Sequence, residues 1–125
     1  MPLLFDMSWD KLQKYTGTNP IPHDFDTFWD KSLEEMEEID SKVEFVTSHF
    51  QTPSIKCEDL YFTGIGNARI HAKILRPLHV SEPHPAVLVF HGYAGSSRDW
   101  TDHLGLASAG FTIAALDCRG QGNLS

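Results

Sequence analysis

The chain has 125 residues, 41% of them hydrophobic, with 17 acidic side chains against 10 Lys and Arg and a formal net charge of -7. That length holds one domain, and the hydrophobic share excludes general disorder. A nucleic-acid binder is excluded by the missing basic footprint, and a membrane-spanning helix by the lack of an 18-residue apolar run.

Residues 1–22 read as an ordered arm. Leu3, Leu4, Phe5, Trp9 and Leu12 are too apolar for a free tail, and Ser8 can cap a short turn through Lys14. With an acid at Asp6 and no basic start, the arm does not read as a secretory leader, so a cytoplasmic location is expected. Gly17, Pro20 and Pro22 break the chain before a helix expected over 24–39, whose start Asp24 or Asp26 can cap. There Phe25, Trp29, Leu33, Met36 and Ile39 recur at intervals of four and three, an apolar stripe for a core or a docking surface. Residues 1–60 hold 13 acids against 5 Lys and Arg. Glu34, Glu35, Glu37 and Glu38 account for half of that excess and read as a solvated helix face.

The rest of the chain, 23–125, reads as the first part of an α/β domain. Strands are expected at about 43–50, 56–63 and 68–75. The last two flank the turn 64–67 and make an antiparallel hairpin. In 68–75, Ala68, Ile70, Ala72 and Ile74 face one way and Arg69, His71 and Lys73 the other, the pattern of a half-buried strand. The continuous apolar run 86–90 predicts a strand covered on both faces. A helix over 99–109, ended by Gly110, leads to a strand at 111–116 parallel to it. The expected fold class is therefore α/β, a mixed sheet with an antiparallel hairpin followed by parallel strands. It is expected to be incomplete, with an unpaired edge on the last strand, and to belong to a longer protein. Cys57 and Cys118 form neither a disulfide framework nor a zinc signature.

Ligands of open α/β sheets bind beyond the carboxyl ends of the strands. Two turns fall there, 91–97 and 117–122. Gly92 and Gly95 allow backbone N–H groups to stand uncovered. The Tyr93 N–H can serve as a donor to a developing oxyanion, or His91-Gly92-Tyr93 can be a tight turn before a helix; the spacing alone leaves both open.

The segments MPLLFDMSWDKLQKY, PHDFDTFW, GNARIHAKILRP, HPAVLVFHGY and LDCRGQG together resemble the acetyl xylan esterase and cephalosporin-C deacetylase family, carbohydrate esterase family seven of the α/β-hydrolases. Arg119-Gly120-Gln121 beside a matching His-Gly-Tyr is the most specific part. The resemblance implies that Tyr93 lends its N–H to an oxyanion hole, that His91 and Gly92 support that turn, and that Arg119, Gly120 and Gln121 brace the neighbouring loop. It also implies a serine hydrolase without metal or organic cofactor. Its substrates would be acetylated xylo-oligosaccharides and cephalosporin-C-like esters, and its assembly a hexamer.

The nucleophile elbow, acid and base of that family have no counterpart in these 125 residues, so this stretch alone is expected to be inactive. Ser96 and Ser97 read as caps of the following helix, and His71, His84 and His103 as ordinary strand, loop and helix-surface residues. Asp117 is expected to pair with Arg119 or cap its turn, and not to be the triad acid. Two alternatives remain: another acyl hydrolase or thioesterase of the same superfamily, and a truncated or binding fragment.

Overall fold

A computed structural model describes residues 6–122; Leu3, Leu4 and Phe5 of the expected arm lie outside them. The chain divides into two compact units, one up to Leu33 and one from Glu34 onward.

In the first unit the Ser8 carbonyl accepts the N–H groups of Lys11 and Leu12, which starts α1, Trp9–Leu12. The Ser8 side chain makes no capping bond, contrary to expectation. The longer helix α2, Phe25–Glu38, occupies the expected place and continues past the division at Leu33. Its aromatic residues stack edge to face, Trp29 against Phe25 at 6.3 Å and against Phe28 at 5.5 Å. None of its side chains is buried, so the stripe is not core among the described residues.

The second unit is a five-stranded sheet with one helix. Its strands are β1, Glu44–Thr47; β2, Ile55–Gly64; β3, Ala68–Pro77; β4, Ala86–Phe90; and β5, Thr112–Leu116. They lie in the order β1-β2-β3-β5-β4. The β2–β3 hairpin pairs from Ile55 opposite Pro77 to Gly64 opposite Ala68. It closes through a single 3-10 turn, Ile65–Asn67, in which Gly66 and Asn67 are left-handed. β5 runs antiparallel to β3 and parallel to β4. Among the described residues β5 is thus internal, and the edges are β1 and β4. The expected edge on β5 is wrong because β5 returns past β4 and inserts beside the hairpin.

The helix α3, Trp100–Ser108, joins β4 to β5 and packs on one face of the sheet. Ile55, Cys57, Leu75, Ala107 and Ile113 form the core there, with Phe50, Val87, Val89, Trp100, Leu104 and Phe111 against them. Val87 and Val89 point to this side. Their neighbours Leu88 and Phe90 remain 67% and 65% exposed, and with Leu60, Phe62, Ala72, Ala114 and Leu116 they line an apolar groove on the other face. The expectation that β4 is covered on both faces therefore fails among the described residues. Its apolar run reflects a sheet apolar on both sides, only one of which α3 covers.

β3 departs from its reading in the opposite sense. The alternation is as expected, but the polar side is buried too: His71 is fully enclosed. On β2, Glu58 is also buried, with Lys56 at 2.7 Å and Arg76 as its ionic partners. These pairs compensate the cost of taking its carboxylate out of water.

A candidate oxyanion site at the strand ends

β4 and β5 are parallel neighbours, with Phe90 opposite Leu116. Their carboxyl ends therefore release two loops side by side. In the first, the Gly95 N–H donates to the Gly92 carbonyl at 3.0 Å, closing a turn with Tyr93 and Ala94 at its corners. Ala94 takes φ 57°, the left-handed third position of a type II turn, which normally favours glycine. Gly95 is required for space, since a Cβ there would sit 2.9 Å from both the Gly92 oxygen and His91 Nδ1. The second loop repeats the device. The Gln121 N–H donates to the Cys118 carbonyl at 2.8 Å, with Arg119 and a left-handed Gly120 at the corners.

Side chains join the two turns. Gln121 Oε1 accepts the Ala94 N–H at 2.9 Å. His91 Nε2 accepts the Cys118 N–H at 3.0 Å, and its Nδ1 lies 2.8 Å from the Gly92 oxygen. A nitrogen that accepts carries no proton, so the His91 proton sits on Nδ1 and donates to Gly92. Arg119 reaches the other way and donates to the Ile65 carbonyl at 3.0 Å, in the hairpin turn. Tyr93 projects from this frame and is 97% exposed. Among the described residues, no backbone or side-chain acceptor takes its N–H. A cleft of about 530 Å³ opens beside it, lined by Tyr93, Ala94, Gly95 and the Arg119–Gly122 loop.

Beneath the turns lies a buried polar cluster missed by the sequence reading. Asp117 Oδ2 is 2.6 Å from His71 Nδ1, and His71 Nε2 is 2.9 Å from Asp59 Oδ1. A carboxylate can only accept, so with both acids ionised each ring nitrogen of His71 donates. Asp117 also accepts the Ser97 N–H at 2.5 Å and the Ser97 hydroxyl at 3.2 Å. Burial alone would raise the Asp117 carboxyl; the bonds from His71 and Ser97 outweigh it and hold it below its ordinary value. The described bonds of Asp117 thus run to His71 and Ser97, and Arg119 bonds Ile65 instead of the expected Asp117.

His103 is buried as well, and its Nε2 donates to the Ser97 carbonyl at 2.7 Å. It is no surface residue. His84 does latch a loop, meeting Thr112 Oγ1 at 2.9 Å. Ser97 Oγ donates to the Asp117 carboxylate and Ser96 Oγ accepts the Arg98 N–H at 3.2 Å, so among the described bonds neither hydroxyl is paired with a histidine. The Cys57 thiol is pushed up by burial and, secondarily, by Asp59, which makes it inert. Among the described residues no group of His, Cys, Asp and Glu is arranged to hold a metal ion.

This mixed α/β sheet, with glycine turns beyond its parallel strand ends, matches the N-terminal portion of solved acetyl xylan esterase structures. The family model described as acetyl xylan esterase matches residues 1–125, and the chain belongs to that family. Among solved structures it is similar to acetyl xylan esterase 1 from Thermoanaerobacterium sp. JW/SL YS485, at 51% identity and a TM-score of 0.89, over 95% of this chain and 37% of that one. It is also similar to the acetyl xylan esterase from Paenibacillus sp. R4, at 28% identity and a TM-score of 0.80, over 94% of this chain and 38% of that one. The chain thus spans little more than a third of the relatives it matches.

Proposed function

We propose that the intact protein is a serine esterase that removes acetyl groups from acetylated xylo-oligosaccharides and, by the same chemistry, from cephalosporin-C-like acetate esters. The observation that carries this reading is the uncovered Tyr93 N–H at the mouth of a cleft, in a chain of the acetyl xylan esterase family. In this proposal a serine outside the present stretch attacks the acetyl carbonyl, and a histidine oriented by an aspartate takes its proton. The Tyr93 N–H and one further donor hold the oxyanion; as it collapses the sugar hydroxyl leaves with the proton from the histidine, and water, activated by the same histidine, then hydrolyses the acetyl-serine to acetate. These 125 residues alone carry no such nucleophile and are proposed to be inactive. Hexameric assembly, with access limited to small substrates, is proposed from the family resemblance.

Acetate release from acetylated xylan by the intact protein tests the substrate class. No release, or faster turnover of longer acyl chains or thioesters, would favour another acyl hydrolase of the superfamily. The donor itself is tested by two variants. Proline suits the second position of a type II turn and has no N–H, so Tyr93→Pro deletes the donor while keeping the turn. It is expected to lower kcat by about 10²–10³-fold. Tyr93→Ala keeps the N–H and is expected to retain most of kcat; equal losses in both variants would contradict the assignment.

A further inference from the structure

We propose that Asp117, braced through His71 by Asp59, is the positioning residue that sets the Tyr93 turn in place for catalysis; this rests on the oxyanion reading of Tyr93 given above. Besides the Gln121 bond to the Ala94 N–H, the Tyr93 turn has an anchor on each side. At one end His91 accepts the Cys118 N–H. At the other, Ser97 is gripped on both sides: its N–H and hydroxyl donate to Asp117, and its carbonyl accepts from His103. The second anchor thus depends on the Asp117 carboxylate as well as on His103.

That carboxylate is locked to the sheet. His71 Nδ1 meets it at 2.6 Å, and the His71 carbonyl accepts the Asp117 N–H at 2.9 Å. Asp59 on β2 then holds the far ring nitrogen of His71 at 2.9 Å. The opposite flank of Asp117 is filled by the second loop, where a Cβ on Gly122 would stand 2.6 Å from Oδ1. One buried anion therefore refers the loop bearing Tyr93 to β3, β2 and the Arg119–Gly122 loop at once. Both of its oxygens accept, which asparagine cannot reproduce, because its amide nitrogen would face a donor. A shift of about 1 Å in a catalytic donor can cost up to ~10²-fold in rate. The relay thus works through Tyr93 and has no need to touch substrate.

The test compares variants of the intact protein on p-nitrophenyl acetate, together with hydrogen exchange at the Ala94 and Gly95 amides, neither of which bonds Asp117. Asp117→Asn is expected to lower kcat roughly tenfold or more with KM changed less than about twofold, and to speed exchange at both amides. Asp59→Asn keeps an acceptor for His71 and is expected to show smaller changes in the same direction. It decides the matter if Asp117→Asn does not fold. Glu58→Gln breaks a buried ionic cluster in the same sheet and is expected to lower stability while leaving kcat and these amides unchanged. Unchanged kcat and exchange in the relay variants, or an equal kcat loss in Glu58→Gln, would overturn the proposal. If the wild-type protein cleaves no acetyl ester, the esterase reading fails by itself, and the exchange comparison still decides whether the relay holds the turn.

Discussion

His71 shows what a single residue hides. Alternation along 68–75 puts it on the polar side of β3, and a polar side is ordinarily solvated. Its acceptors lie on other elements, Asp59 on β2 and Asp117 beyond β5, so no local pattern contains the cluster. Only pairing of distant segments turns a strand histidine into a buried hydrogen-bond partner of two carboxyl groups. Asp117 gives this a measurable sign. Its carboxyl is held below the ordinary value, so the unfolded chain binds its proton more readily than the native one. The stabilisation is therefore complete above the ordinary carboxylate value and is lost as pH falls through the lowered one. Thermal unfolding of wild type and Asp117→Asn is expected to differ most near neutrality and to converge as pH drops below about 4. A difference that widens in acid would contradict this.

Among the elements, the β2–β3 hairpin was the most legible, because alternation, turn residues and strand length agree. β4 was located correctly and misjudged in its surroundings. A run of apolar residues cannot say whether both faces are covered, and here Leu88 and Phe90 stand on the bare one. The spacing in α2 gives the helix but not what lies against its stripe. The hairpin turn makes a specific demand: Gly66 has φ 67°, and a Cβ there would lie 3.4 Å from Arg119 Nη2. Gly66→Ala is expected to cost roughly 1–2 kcal/mol from the left-handed backbone. A melting temperature within error of wild type would refute that demand.

For the molecule as a whole, composition separated an acidic first half from a nearly neutral second half, and the structure divides the chain into units at Leu33. The two glycine turns were placed by strand-end reasoning, and Tyr93, Arg119 and Gln121 were singled out by resemblance. The frame around them was not legible: Gln121 to Ala94 and Cys118 to His91 each bridge 27 residues. Such contacts exist only because β4 and β5 run parallel and end together.

The insertion of β5 between β3 and β4 has a consequence in time. The hairpin closes over a three-residue link, so it can form within microseconds. β5 reaches β3 only after the chain has passed through β4 and α3, and the longer closure is slower. Asp117 cannot find His71 before that arrival. Pulse-labelled exchange during refolding should show β2 and β3 amides protected ahead of Ser97, and the reverse order would contradict this sequence of events. The chain would then acquire its scaffold early and its oxyanion loop late, so an arrest midway leaves a sound hairpin whose Tyr93 has not yet been given a place.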